Sequence, residues 1–277
     1  MKELAIVVGA GGMGQAVARK LADRYRVLIA DINYDQAMSA ATSMTNEGAS
    51  VCAIQCDVTS RQSVSALADK VAEEGGFKAL VHVAGLSPTM GDFDQILRVN
   101  LVGPALVSNA LLPHAQQGAA AILISSLGAH LCTVEAEVSS VLRDFAASDE
   151  LSDQLRRLLG NDRADANAAY QLSKFGLLML CRRSAREWGH RGARIMSLSP
   201  GIIATPMGAR EFDGNPAKRR LFEMSPQKRE GTLDEISEVI DFLVSARASF
   251  ISGTDILVDG GLAGSATDIP FPGVHSA

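Results

Sequence analysis

The chain opens with a short apolar run that leads directly into a glycine-rich turn. Leu4–Val8 contains only apolar residues, as expected of a strand covered by helices on both faces. The turn reads Gly9-Ala-Gly11-Gly12-Met13-Gly14, and apolar residues at helical spacing follow it up to Arg24. A G-x-G-x-x-G between a strand and a helix lets the backbone approach a pyrophosphate closely, and the helix N-terminus attracts its charge. The pattern therefore predicts a dinucleotide site.

Strand-like and helix-like segments continue to alternate along the chain. Further strands are predicted over Arg26–Ala30, Val51–Gln55, Ala79–Val83, Ala119–Ile124, Arg194–Ser199 and Asp255–Val258. Helices are predicted over Tyr34–Glu47, from a capping box at Thr59 to Glu73, over Phe93–Leu112 and Tyr170–Trp188, and from a second capping box at Thr232 to Ser245. This order predicts an α/β fold with a Rossmann-type, doubly wound parallel sheet.

The alternation places one domain over residues 1–264, with three additions. A polar stretch at about 131–166 interrupts the pattern before the last long helix, and its leucines at helical spacing predict a helical insertion. A polar loop at about 207–231 is expected to cover the substrate, and 265–277 form a C-terminal tail. The leucine stripe must be buried, either on its own subunit or against a partner. We expect a homo-oligomer, a dimer or a tetramer, and favour a dimer because two-fold pairs are the commonest closed assembly.

The charge balance and the apolar runs restrict the class of partner. The 277 residues include 31 acidic and 26 basic ones, for a net charge of −5, which argues against nucleic acid as a partner. No apolar run approaches the ~18 residues that span a bilayer, so no membrane partner is expected. The first strand begins almost at once without a secretory signal, which predicts a cytoplasmic protein.

The cysteines and histidines do not predict a disulfide framework or a metal site. The chain has four cysteines, too few for a disulfide scaffold, and we expect reduced, mostly buried thiols. Cys52 and Cys56 lie four apart in a predicted strand and are expected on one face. His130 and Cys132 have no second cluster beside them, so no metal site is predicted. His82 lies in an apolar strand and is expected to be a hydrogen-bonded core histidine.

Asp31, at the end of the second predicted strand, bears on the choice of coenzyme. Its carboxylate can accept hydrogen bonds from the adenosine ribose hydroxyls and would repel a 2′-phosphate. No lysine or arginine lies in the glycine turn or beside Asp31 in the sequence. These features predict NAD in preference to NADP. Asp57, after the third strand, fits two roles equally well: a hydrogen bond to adenine, or termination of the strand.

Tyr170 and Lys174 lie four residues apart on a predicted helix and therefore share one face. A nearby ammonium stabilises a phenolate and lowers the tyrosine pKa, so that the tyrosine can exchange a proton with a substrate hydroxyl. The fifth predicted strand ends in Ser125-Ser126, where a hydroxyl can face a ligand above the sheet. Strand alignment favours Ser126 as the reacting serine, while the spacing to the following Ala-His-Leu favours Ser125. We choose Ser126.

Taken together, these motifs resemble the short-chain dehydrogenase/reductase family over Lys2 to about Gly264. Further matching residues are Asp57-Val58, Ala84-Gly85, Asn100, Pro200-Gly201 to Thr205, and Val258-Asp-Gly-Gly261. The resemblance implies a Ser126–Tyr170–Lys174 centre, with Asn100 supporting a water-linked proton path. It also implies that Ile203 and Thr205 contact the nicotinamide end of the coenzyme. The predicted coenzyme-binding residues are Gly9, Gly11, Gly12, Met13, Gly14, Asp31, Ile32, Asp57, Val58, Ala84, Gly85, Tyr170, Lys174, Pro200, Gly201, Ile203 and Thr205.

Three features depart from the family pattern. The glycine turn is one residue shorter than usual, with Val8 in place of a threonine, and His82-Val83 replaces two asparagines. The segment between Ser126 and Tyr170 is longer than usual, as in the bacterial hydroxysteroid dehydrogenase/carbonyl reductase branch. By this resemblance we expect an NAD-dependent enzyme that interconverts a secondary alcohol, such as a hydroxysteroid or another cyclic apolar alcohol, and its ketone. The alternative is a catalytically silent NAD-binding sensor or scaffold.

Overall fold

The computed structural model describes residues 2–205 and 216–266, and its centre is a seven-stranded parallel sheet. The strands are β1 (Leu4–Val8), β2 (Arg26–Asp31), β3 (Val51–Gln55), β4 (Phe77–His82), β5 (Ala115–Ile124), β6 (Arg194–Pro200) and β7 (Asp255–Val258). Their order in the sheet is β3-β2-β1-β4-β5-β6-β7, so the strand order reverses direction between β1 and β4. In open α/β sheets a ligand binds at the carboxyl ends of the strands beside such a reversal. The predicted doubly wound fold is confirmed.

Helices cover both faces of the sheet. They are α1 (Gly12–Ala22), α2 (Tyr34–Asn46), α3 (Arg61–Glu73), α4 (Phe93–Leu97), α5 (Gly103–Leu111), α6 (Ala136–Asp144), α7 (Leu151–Leu159), α8 (Ala166–His190), α9 (Pro216–Met224), α10 (Leu233–Val244) and α11 (Leu262–Ala266). Residues of α1, α2 and α10 pack on one face of the sheet, while α3, α4, α5 and α8 pack on the other. Both faces are therefore buried, which explains why the strands are continuously apolar.

Short 3₁₀ turns and one π turn join these elements. The 3₁₀ turns are Leu112–His114, Leu127–Ala129 and Ala246–Ala248, and the π turn is Arg98–Val102. The π turn divides the helix predicted over Phe93–Leu112 into α4 and α5. In the described part of the chain, one helical stretch, Phe93–His114, is long and apolar enough to cross a membrane, with a mean hydropathy of 1.3. However, 67% of that stretch is buried inside the fold, as in the core helix of a globular domain.

The insertion at 131–166 forms α6 and α7, and both pack on their own subunit. Leu151 and Leu155 are fully buried in the same core cluster as α4 and α8, whereas Leu158 stays 36% exposed. Arg156 stacks over the Phe93 ring at 4.8 Å from its centroid. Of the two outcomes expected for the leucine stripe, burial on its own subunit is the one observed for Leu151 and Leu155.

The capping box predicted at Thr59 needs correction. The cap of α3 is Ser60, whose hydroxyl accepts from the Ser63 N–H, and Thr59 instead donates its hydroxyl to Asp57. The expected common face of Cys52 and Cys56 agrees with the register, because Cys52 pairs with Leu28 of β2, and Leu28 and Cys56 belong to one core cluster. Cys56, just beyond the end of β3, is buried, whereas Cys52 is exposed.

The segment predicted as a polar loop at 207–231 contains helix α9. Its residues 207–215 lie outside the described residues, as do residues 267–277 of the predicted tail, and α11 extends two residues beyond 264. By contrast, the Thr232 capping box is confirmed: its hydroxyl accepts from the Glu235 N–H, and the Glu235 carboxylate accepts from the Thr232 N–H.

Candidate active site

The glycine turn after β1 is a tightly closed backbone loop that leaves the start of α1 open. Gly9 has a φ of +109°, a backbone conformation that residues with a side chain rarely adopt. Its N–H donates to the Ala30 carbonyl at 2.7 Å. A Cβ on Gly14 would lie 1.8 Å from the Gly9 carbonyl oxygen, so the turn and the helix are in direct contact. No side chain caps the N-terminus of α1 at Gly11, and its first turn holds no acidic residue. This arrangement fits a pyrophosphate.

Asp31 fixes its carboxylate at the end of β2, beside the glycine turn. Its Oδ2 accepts from the Ala10 N–H at 2.6 Å, and its Oδ1 accepts from the Asn33 N–H at 2.8 Å. Within residues 2–205 and 216–266, no lysine or arginine forms an ion pair with Asp31. The neighbouring Ile32 is 63% exposed. The end of β2 therefore presents a fixed carboxylate and an exposed apolar side chain beside the glycine turn.

Asp57 is engaged locally at the end of β3. Its Oδ1 accepts from the Thr59 N–H at 2.9 Å and from the Thr59 hydroxyl at 2.7 Å. Val58 is buried, and a Cβ on Gly103 of α5 would lie 2.7 Å from Val58 Cγ2. Asp57 thus ends the strand, one of the two roles expected of it, and Val58 packs the strand end against α5.

The chain after β4 passes closely under the glycine turn. The Ala84 N–H donates to the Val8 carbonyl at 2.8 Å, and a Cβ on Gly9 would lie 2.6 Å from the Ala84 nitrogen. A Cβ on Gly85 would lie 3.2 Å from Asn100 Oδ1 and 3.5 Å from Lys174 Nζ. Ala84 and Gly85 therefore connect the glycine turn to the side chains of α8 and of the π turn.

Tyr170 lies in the first turns of α8 and faces the residues that follow β5. A Cβ on Gly128 would lie 3.5 Å from Tyr170 Cε1 and 3.6 Å from Ser126 Oγ, so the ring edge and the hydroxyl flank one small space. Ser126 also caps the 3₁₀ turn Leu127–Ala129, because its Oγ accepts from the Gly128 N–H at 3.1 Å. The space beside Gly128 is thus lined by the edge of the Tyr170 ring and by the Ser126 hydroxyl.

Lys174 is buried one helical turn beyond Tyr170. Its Nζ donates to the Ile124 carbonyl at 2.9 Å and lies 5.8 Å from the centroid of the Tyr170 ring. Burial lowers the pKa of the Lys174 ammonium from 10.5 to about 8. The side chain is therefore still mostly protonated at neutral pH, and its charge lies next to the phenol ring.

Asn100 is fully buried within the π turn between α4 and α5. Its amide donates to the Leu86 carbonyl at 2.9 Å, and its Oδ1 accepts from the Leu86 N–H at 2.7 Å. π turns inside helices occur frequently at functional sites, because they redirect side chains and backbone groups. Here the turn places Asn100 across Gly85 from Lys174.

The two neighbouring serines occupy different environments. Ser125 is buried, and its Oγ donates to the Lys174 carbonyl at 2.8 Å, which ties β5 to the backbone of α8. Ser126 is only partly buried and faces Tyr170 across Gly128. The geometry therefore favours Ser126 over Ser125 as the serine that can reach a substrate.

The segment after β6 continues the same edge of the sheet. Pro200 ends the strand, the Gly201 N–H donates to the Val258 carbonyl at 2.9 Å, and Ile203 forms a bridge with Gly231. A Cβ on Gly201 would lie 2.6 Å from Asp259 Cα, so this position has no room for a side chain. Ile203 and Thr205 follow from this fixed point toward the carboxyl edge.

Comparisons with known proteins agree with this geometry. Residues 3–137 match the family model described as short chain dehydrogenase, and residues 158–263 match the one described as enoyl-(acyl carrier protein) reductase. The short-chain dehydrogenase/reductase bsc3 of Alternaria brassicicola is 33% identical over 92% of this chain and 94% of its own length. The chain is a short-chain dehydrogenase/reductase. It is therefore an oxidoreductase that uses a nicotinamide coenzyme, NAD(H) or NADP(H).

Two further proteins resemble this short-chain dehydrogenase/reductase, one in sequence and one in structure. The D-threitol dehydrogenase of Mycolicibacterium smegmatis is 29% identical over 94% of this chain and 92% of its own length. The structure of a short-chain dehydrogenase/reductase from Serratia marcescens superposes with a TM-score of 0.75 at 23% identity, covering 94% of this chain and 98% of the other. The first match supports oxidation of alcohols in general, and the second shows the shared fold.

His82 differs from its expected role in this short-chain dehydrogenase/reductase. The imidazole is 2% exposed at the end of β4, and its Nε2 has no hydrogen-bond partner among the described residues. Burial, and secondarily the charge of Lys174, lower its pKa from 6.5 to about 3. The expected core histidine is therefore confirmed by its burial and corrected in one respect: a backbone hydrogen bond acts on the ring and raises its pKa slightly, but Nε2 stays unpaired among the described residues.

Several groups that shape the site have no signal in the sequence. The Ile124 carbonyl that accepts from Lys174 and the Leu86 backbone groups that hold Asn100 are main-chain atoms, which any residue would supply. The sequence points to His130 as a possible metal ligand with Cys132 and as part of the Ala-His-Leu spacing after the serines, but not to its partner. In the structure its Nε2 lies 2.8 Å from Asp255 Oδ2, while Cys132 Sγ is directed to the Ala129 carbonyl. The position of a histidine four residues after Ser126 is the feature of the sequence that indicates this contact.

Proposed function

We propose that this enzyme interconverts a secondary alcohol and its ketone with NAD as the coenzyme. The observation that carries the proposal is the arrangement of Ser126 and Tyr170 around one small space, with the buried Lys174 ammonium behind the ring. A general acid–base needs its proton-transfer atom within reach of the reacting oxygen and a neighbour that adjusts its pKa. The edge of the Tyr170 ring beside Ser126 and the Lys174 ammonium next to the ring support these two roles.

In the direction of oxidation, Tyr170 removes the proton of the substrate hydroxyl and Ser126 hydrogen-bonds the reacting oxygen. NAD, when bound, supplies the hydride acceptor at nicotinamide C4. Lys174 holds the nicotinamide ribose and stabilises the deprotonated phenol through its positive charge. Asn100, fixed by Leu86, supports a water-linked path that carries the proton away from Lys174.

The preference for NAD rests on Asp31. Its carboxylate is held in place by two backbone N–H groups at the point where the adenosine ribose follows the glycine turn. Ribose hydroxyls can donate to the remaining lone pairs of the carboxylate, while a 2′-phosphate would meet a negative charge. The expected preference for a hydroxysteroid or another cyclic apolar alcohol remains a prediction, as do the homodimer and the cytoplasmic location.

A panel of secondary alcohols and ketones with NAD(H), followed at the absorbance of the reduced nicotinamide, tests the activity. Tyr170→Phe keeps the ring but removes the proton donor, so turnover should fall by at least ~10²-fold while NAD binding is nearly unchanged. Retention of most of the activity would contradict the role of Tyr170. Tight NAD binding without turnover of any alcohol or ketone by the unmodified enzyme would favour the sensor or scaffold instead.

The neighbouring serines give a matched pair of variants for the same assay. Ser126→Ala should behave like Tyr170→Phe, because it removes the hydroxyl that faces the substrate space. Ser125→Ala removes a buried bond to the Lys174 carbonyl and should lower stability more than turnover. The reverse pattern would assign the reacting hydroxyl to Ser125.

A further inference from the structure

The 3₁₀ turn that follows Ser126 ends at His130, whose side chain extends past β6 to the edge strand β7. Within the turn, the Gly128 N–H donates to Ser126 Oγ, and the His130 N–H donates to the Leu127 carbonyl at 2.9 Å. His130 is the residue that closes the 3₁₀ turn Leu127–Ala129. Its ring extends to β7, where Nε2 lies 2.8 Å from Asp255 Oδ2.

Asp255 is a rigid anchor for this contact. Its side chain is only 5% exposed, and it is the first residue of β7, in register with Ser197 of β6. The second carboxylate oxygen accepts from the Ser199 hydroxyl at 3.0 Å. A buried carboxylate needs donors on both oxygens to offset the loss of water. His130, whose side chain is 26% exposed, supplies one of them, so the contact couples the ring to the buried carboxylate.

The geometry of this cluster indicates a structural tie and not a second proton relay. The same nitrogen of His130, Nε2, faces both Asp255 Oδ2 at 2.8 Å and Ser199 Oγ at 3.3 Å. A Ser–His–Asp relay needs the serine and the carboxylate on different ring nitrogens. The contact therefore holds the turn in place and does not take part in proton transfer.

We infer that His130 is a positioning residue that holds the Ser126 hydroxyl opposite Tyr170 by tying the turn to β7 through Asp255. The inference rests on the proposed function, in which Ser126 hydrogen-bonds the reacting oxygen. The next thiol along the chain, Cys132, bonds back to the Ala129 carbonyl and so ties the segment only to itself. Loss of the His130–Asp255 contact should leave Ser126 on a turn that can shift, and small displacements of a positioned group cost large factors in rate.

The test compares His130→Ala, His130→Gln and the control His190→Ala, which removes an exposed histidine at the end of α8. With an alcohol that the unmodified enzyme oxidises, His130→Ala should lower kcat about tenfold or more, while KM for NAD and the shape of the pH profile stay unchanged. His130→Gln keeps a donor near the position of Nε2 and should recover most of kcat. Unchanged kcat in His130→Ala, or no recovery in His130→Gln, would overturn the inference.

A measurement that needs no activity separates this inference from the proposed function. Hydrogen exchange of the amides at 127–130 reports directly on the order of the turn. We expect these amides to exchange several-fold faster in His130→Ala than in the unmodified enzyme, and no change in His190→Ala. Equal exchange in all three proteins would overturn the tie even if the enzyme oxidised alcohols. Faster exchange in a protein without alcohol turnover would support the tie and refute the proposed function.

Discussion

Replacement of His82 by leucine should make the stability of the protein less sensitive to acid. In the unfolded chain the imidazole titrates near 6.5, whereas burial, with a smaller effect of the Lys174 charge, lowers its pKa to about 3 in the folded protein. Between these values the unfolded chain binds a proton that the folded protein does not accept. The stability associated with the neutral imidazole is therefore fully present above pH 6.5 and is lost as the pH falls toward 3.

The magnitude of the loss follows from the two pKa values. Each pH unit below 6.5 favours the unfolded state by about 1.4 kcal/mol, so at pH 5 the loss is about 2 kcal/mol. At pH 8 both states hold a neutral imidazole and the loss vanishes. A leucine at position 82 cannot bind a proton in either state and removes this difference completely.

Urea unfolding at pH 5 and pH 8, at one protein concentration, measures the effect. The free energy of unfolding of His82→Leu, relative to the unmodified protein, should rise by about 2 kcal/mol between pH 8 and pH 5. His82→Asn keeps a polar side chain and should give the same difference between the two pH values. His190→Ala, which removes an exposed histidine, should give almost none. An equal relative stability of His82→Leu at both pH values would show that His82 is protonated in the folded protein and would refute the reasoning.

Three further predictions concern the coenzyme, the glycine turn and the assembly. Asp31→Ala should narrow the preference for NAD over NADP in calorimetric titrations, since the repulsion of a 2′-phosphate is lost; tighter NADP binding by the unmodified enzyme would contradict the proposed preference. Gly14→Ala should destabilise the fold by about 3 kcal/mol or more, because the Cβ would collide with the Gly9 carbonyl, whereas Gly189→Ala meets open space in α8 and should be tolerated in thermal unfolding. Light scattering coupled to size exclusion should give the mass of a homodimer, and a tetramer would show that the insertion leaves a further interface free.

The strands were predictable because a parallel sheet covered on both faces leaves continuous apolar runs in the sequence. The predicted bounds of β1, β3 and β7 agree with the structure. Errors arose where two neighbouring residues could serve the same purpose. Thr59 and Ser60 can both cap a helix, and Ser60 does so because Asp57 binds the Thr59 hydroxyl. That competition is a tertiary detail that the capping pattern does not contain.

The polar side chains of the site were predictable, but the groups that hold them were not. Tyr170 and Lys174 stand out because helical spacing places them on one face, and the glycine turn stands out because its context is a strand and a helix. The burial of Lys174 depends on a main-chain carbonyl, and the unpaired nitrogen of His82 depends on how the helices close over β4. The burial of Lys174 and the unpaired nitrogen of His82 both depend on neighbouring residues, so the residue type at either position does not predict them.

The contacts at the end of β5 explain how the enzyme accommodates a long insertion within its site. Ser126 and Tyr170 are 44 positions apart in the sequence, yet three consecutive residues fix their relation. The Ile124 carbonyl accepts from Lys174 Nζ, Ser125 donates its hydroxyl to the Lys174 carbonyl, and the Ser126 hydroxyl faces the Tyr170 ring. The first two of these bonds are buried and join strand to helix directly, so they hold α8 against β5 through residues that lie outside the insertion. The phenol, the ammonium and the hydroxyl are thereby kept together although a long insertion lies between them in the sequence.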